Sequence, residues 1–82
     1  MKDKTFTVTT NDGEKVDVVY HGYTPKNEEP KIDITVKHHE ENLVFTCSFD
    51  GRDEQRNYMR GCDDRRAKQM ADFLIATKKR TA

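Results

Sequence analysis

Three arginines spaced four residues apart, Arg52, Arg56 and Arg60, are the side chains of this sequence best suited to recognition chemistry. That spacing keeps them on one side of a helix and, being even, on one side of a strand as well. Guanidinium forks grip carboxylates and phosphates bidentately, so the three can read an acidic protein surface or a nucleic-acid backbone. Tyr58 lies among them, and Arg and Tyr are typical interface anchors. Arg52, Arg56, Tyr58 and Arg60 are therefore the expected partner-binding residues. The competing account is a solvated face paired locally with Asp53, Glu54 and Asp63, since exposed ion pairs are common and weak.

A second basic set follows: Arg65, Arg66 and Lys68, then Lys78, Lys79 and Arg80. On one helix these would form a basic outer face, the alternative candidate site for nucleic-acid contact. The run Asp64-Arg65-Arg66-Ala67-Lys68 is loosely similar to the start of the final helix of double-stranded RNA-binding domains. There a Ser-Lys-Lys-x-Ala-Lys pattern follows a sheet. The likeness covers about the last twenty residues and puts Arg65 and Lys68 on basic positions, but an acidic Asp64 on a third. That family's first helix has no counterpart here, where a β-hairpin opens the chain. The resemblance implies RNA binding as the alternative function.

Metal and catalytic chemistry find little purchase. His38 and His39 precede Glu40-Glu41, but neighbours on a strand point to opposite faces and cannot share one ion without a local bend. No Cys-x-x-Cys or His-x3-His spacing occurs, so no metal site or cofactor is expected, and His38 should pack on Leu43 or Phe45. His21 lies near Tyr20 and Tyr23 with no carboxylate or nucleophile beside it in sequence. There is no phosphate-cradling glycine loop, nucleophile elbow or paired-carboxylate motif. Near a helix start the Cys62 thiol would ionise more easily, but Asp63 and Asp64 oppose that. The chain is expected not to be an enzyme.

Composition sets the frame for these groups. The 82 residues carry 15 basic and 15 acidic side chains, for a formal net charge of zero. Leu, Ile, Val and Phe number 15, about 18% of the chain, which means one domain over residues 1–82 with a thin core. The neutral total hides an asymmetry. Residues 1–51 hold 6 basic and 10 acidic groups, whereas residues 52–82 hold 9 and 5, including all six arginines. No apolar run is long enough to span a bilayer, and Met1-Lys2-Asp3-Lys4 leads into alternating Thr and Val rather than a signal core. Two cysteines are too few for a disulfide framework. Reduced thiols in a cytoplasm are the simpler expectation, with Cys47–Cys62 pairing as the alternative.

The elements that position the candidate residues follow from periodicity. Phe6 and Val8 alternate with threonines, Val16, Val18 and Tyr20 repeat the pattern, and Asn11-Asp12-Gly13 lies between. A three-residue loop pairs Val8 with Val16 and Phe6 with Val18, so both apolar sets share a face, and Gly13 suits the left-handed end of that loop. Residues 22–30 are rich in breakers and form an exposed connection. Ile32, Ile34 and Val36 alternate next, then Leu43, Phe45, Cys47 and Phe49, joined by an even-length turn within His39–Asn42. Asp63 or Asp64 can cap a helix reaching about Lys79, with Ala67, Met70, Ala71, Leu74 and Ile75 on one arc and Phe73 beside them. Between sheet and helix, Asp50-Gly51 either turns the chain into a fifth strand or Asp50 caps a short helix at about 51–60. The stripe Gln55, Tyr58, Met59, Cys62 favours helix.

The expected fold is α+β: a four-stranded antiparallel sheet of two hairpins, five-stranded if the alternative holds. One face is covered by a C-terminal amphipathic helix, with the short helix at about 51–60. The expected function is docking on a larger protein partner with an acidic surface, as a regulator or inhibitor of the kind phage and mobile elements direct at host machinery. RNA or DNA binding and a structural homodimer, which would shield so thin a core, are the alternatives; no membrane is involved.

Overall fold

Alternating Thr/Val and Ile/Thr segments do in space what their period requires. The computed structural model describes residues 2–81, with side chains through 78, and contains four strands: β1 (Lys4–Thr9), β2 (Lys15–Tyr23), β3 (Lys31–His38) and β4 (Glu41–Ser48). They form one antiparallel sheet in the order β1-β2-β3-β4. Val8 pairs with Val16 and Phe6 with Val18, the register that a three-residue loop dictates. Thr10 N–H donates to the Glu14 carbonyl at 2.8 Å to close the loop, and Gly13 takes φ +86°, where a side chain would be strained. In the second hairpin His38 pairs with Glu41, leaving the two-residue turn His39-Glu40, with His39 at φ +57°.

Residues 52–60 are a helix, not a fifth strand: α1 spans Arg52–Arg60. Its N-cap is Gly51 in extended conformation, without a side-chain cap, so Asp50 does not cap it as the sequence suggested. Instead the Glu54 carboxylate reaches back to accept from the Asp50 N–H at 3.3 Å. This satisfies a free donor just ahead of the helix and puts negative charge at its positive end. The second helix, α2, spans Asp64–Thr81. Asp63 caps it, its Oδ1 accepting from the Arg66 N–H at 2.9 Å.

The inner face of the sheet contributes Val8, Val16, Val18, Tyr20, Ile32, Ile34 and Val36 to the core. From above, α2 adds Ala67, Ala71, Leu74 and Ile75, while α1 adds Gln55 and Met59. The two small alanines let the backbone of α2 approach the sheet closely. A helix about 10 Å wide cannot roof four strands spaced about 4.8 Å apart. The shortfall falls on β4, where Phe45 stays 39% exposed and meets Phe73, itself 53% exposed, edge to face at 6.1 Å. The outer face is polar, laced by Thr7 to Asp17 and Thr46 to Asp33 hydrogen bonds of 2.7 Å between paired strands. Among the described residues no helix is long and apolar enough to cross a membrane.

Both hairpin turns lie at one end of the sheet. The β2–β3 connection and α1 lie at the other. That separation decides which candidate groups can act together.

Candidate functional site

Helix α1 is fixed at its end of the sheet by two polar contacts. The Gln55 carboxamide, buried, donates to the carbonyls of Tyr23 at 3.1 Å and Lys31 at 2.8 Å, bridging β2 and β3. At the other end of the helix, Lys4 Nζ donates to the Met59 carbonyl at 2.8 Å, drawing the start of β1 against its last turn. With Gln55 and Met59 facing inward, the helical repeat of about 100° per residue puts Arg52, Arg56 and Arg60 together on one flank. All three are exposed. Arg52, Gln55 and Arg56 wall a cleft of about 380 Å³ against Gly22, Tyr23 and Thr24 of β2 and the loop that follows.

The local-pairing account holds for one arginine only. Arg56 meets Asp53 at a long 3.5 Å, both side chains largely solvated. Such a contact is worth little. Among the described residues Arg52 and Arg60 make no ion pair. Two unpaired guanidiniums and one weakly paired one therefore share a flank beside an open cleft.

Tyr58 does not join them. It lies about 160° around the helix from Arg56, on the opposite flank. There it packs against Phe49 at 5.3 Å between ring centroids, beneath the Arg66 guanidinium 5.8 Å from its ring. Burial, with the neighbouring Cys47 and Cys62 thiols adding to it, raises the Tyr58 phenol above its ordinary value.

Three basic residues of α2, Arg66, Lys68 and Lys78, make contacts within the fold. Lys68 Nζ is held at 2.7 Å by Asp72 Oδ2 and at 2.6 Å by Asn11 Oδ1. The other Asp72 oxygen accepts the Asn11 backbone N–H at 2.9 Å. This triangle clamps the first hairpin turn to the helix. Lys78 pairs with Glu41 at 2.5 Å, tying α2 to the start of β4. The Lys78 ammonium holds the Glu41 carboxyl below its ordinary value, and Arg66 is committed to Tyr58. Arg65 is exposed; the side chains of Lys79 and Arg80 lie outside the described residues.

The two cysteines are free. Burial pushes both thiols above their ordinary value. For Cys47 a Tyr58 hydrogen bond, and for Cys62 the charges of Lys4 and Arg66, work against that rise without cancelling it. Neither thiol is thus activated as a nucleophile at neutral pH. His21, without a partner in sequence, has one in space: its Nδ1 lies 2.7 Å from Asp3 Oδ1 and its ring stacks on Tyr23. The aromatic ring contact of His38 is with His39 rather than with Phe45. The sequence alone does not bring Glu14, His38 and His39 together; the signal is the left-handed residue in a two-residue turn.

Comparison with protein-family models, curated proteins and solved structures gave no match to this chain.

Proposed function

We propose that this chain is a small non-enzymatic binding domain that docks through the arginine flank of α1 on a larger protein with an acidic surface, as its regulator or inhibitor. One observation carries the reading. Arg52 and Arg60 make no ion pair among the described residues, whereas Lys68, Lys78 and Arg66 on α2 are occupied within the fold. A guanidinium free of local partners keeps its bidentate capacity for a carboxylate from outside. The cleft beside Arg52 and Arg56 gives one partner carboxylate an open recess that both side chains line. Thiols held protonated by burial also support a binding role over nucleophilic catalysis.

The deciding experiment is affinity capture from host lysate with the wild-type chain and an Arg52→Glu, Arg56→Glu, Arg60→Glu variant, each with and without nuclease. The reading expects a protein that survives nuclease, is lost with the variant, and dissociates as salt rises. The variant should keep the wild-type circular dichroism and melting temperature, because none of the three side chains is buried. A nuclease-sensitive signal depending on Arg65 would instead establish RNA or DNA binding, and equal capture by the variant would remove the arginine flank from function.

A further inference from the structure

At the hairpin end of the sheet, far from α1, three metal-ligating side chains from two separate hairpins converge. Glu14 enters β2, His38 ends β3, and His39 opens the β3–β4 turn. In a regular strand consecutive residues point to opposite faces, which would part the two imidazoles. His39, however, is in the left-handed region at φ +57°, and this swings its ring round to the side of His38, with centroids 4.2 Å apart. Both Nε2 atoms then face one carboxylate oxygen. His38 Nε2 lies 3.1 Å and His39 Nε2 3.5 Å from Glu14 Oε2, and each of the three residues brings one ligand atom within 4.8 Å of the other two.

We propose that Glu14, His38 and His39 form a binding site for a divalent transition metal, with Zn²⁺ the best-matched ion. The distances support it. For metal–ligand bonds of about 2.0–2.1 Å, donors at the corners of a tetrahedron stand roughly 3.3–3.4 Å apart, and the two measured edges bracket that separation. Two imidazoles and one carboxylate form a borderline donor set that suits Zn²⁺ and excludes ions such as Ca²⁺ and Mg²⁺, which require mostly oxygen ligands.

The donors are also preorganised. The Glu14 backbone is locked at both its N–H and its carbonyl by Thr10. His38 is 93% buried at the end of the core row that includes Val36, and its Nδ1 has no hydrogen-bond partner. Glu41, the nearby carboxylate paired with Lys78, is committed elsewhere. Three protein ligands leave a fourth position for water or for a side chain of a partner.

The test is titration of the untagged, chelator-stripped chain with Zn²⁺ by calorimetry and with Co²⁺ by visible absorption. The expected result is one ion per chain, with the imidazole resonances of His38 and His39 shifting in NMR spectra and those of His21 unmoved. His39→Ala, which alters a solvent-exposed ring, should weaken binding at least about tenfold while the fold is kept, and Glu14→Gln should do the same. Saturable binding unchanged in His39→Ala, or no saturable binding by the folded wild type, would overturn the proposal. The site shares no residue with the arginine flank, so the Arg52→Glu, Arg56→Glu, Arg60→Glu variant should bind Zn²⁺ as the wild type does whatever its capture experiment shows.

Discussion

The Gln55 side-chain amide donates a 2.8 Å hydrogen bond to the Lys31 carbonyl, across 24 residues of sequence. With its second bond to Tyr23, this contact holds α1, and hence the arginine flank, against the sheet. Gln55→Ala leaves two strand carbonyls short of a donor in a half-buried setting. It should lower stability by about 1–3 kcal/mol, measured by urea denaturation. If α1 is positioned as the docking reading requires, the same substitution should also weaken partner capture although it removes no charge. Wild-type capture by a folded Gln55→Ala chain would show that the orientation of α1 does not matter.

A second polar anchor predicts an acid response. Burial alone would push the Asp72 carboxyl up, but the Lys68 ammonium and the Asn11 N–H together bring it below its ordinary value. Its unfolded value is about 4, so the stabilisation is fully present above that pH. It is lost as pH falls below it through the lower folded value. Lys68→Gln should flatten this part of the stability–pH curve and cost about 0.5–1.5 kcal/mol at neutral pH, the pair being partly solvated. Urea midpoints of the two chains measured on either side of pH 4 check both expectations. A full acid response in Lys68→Gln would assign it to other carboxylates.

The elements were largely legible because they rest on local rules. Strict alternation and a three-residue loop gave the first hairpin its register, and the Gln55, Tyr58, Met59, Cys62 stripe favoured helix over a fifth strand. What could not be read was where turns and helix flanks send side chains. The cap of α1 fell to Gly51 because Glu54 can serve the Asp50 N–H from within the helix. Lys68 looked like part of a basic face because its partner Asn11 lies 57 residues away. The histidine pair looked divergent because a strand rule was applied to a residue that the two-residue turn takes out of the strand. The first miss is a local side-chain contact, the second a tertiary contact and the third a positive φ, and none of these leaves a periodic trace in sequence.

The thiols give a chemical check on the core. Cys62 is buried and donates to the Tyr58 carbonyl at 3.3 Å, while Cys47 is partly exposed on β4. Burial keeps both thiols protonated at neutral pH. Alkylation of the native chain near pH 7.5, followed by mass spectrometry, should modify Cys47 first and Cys62 only at the rate of unfolding. Fast modification of native Cys62 would mean that the junction between α1 and α2 opens readily.

Tyr58 separates packing from recognition. It sits on the flank of α1 opposite the arginines, pressed between Phe49 and Arg66. Tyr58→Ala should destabilise the chain by about 2–4 kcal/mol through the space it leaves. Tyr58→Phe keeps the ring and should cost less than about 1 kcal/mol, the loss being its hydroxyl contact with Cys47. Provided the chain stays folded, neither variant should alter affinity for a partner gripped by Arg52, Arg56 and Arg60. Thermal unfolding and binding measured on the same samples distinguish the two roles. A stable Tyr58→Phe chain that loses its partner would place the phenol in the interface after all.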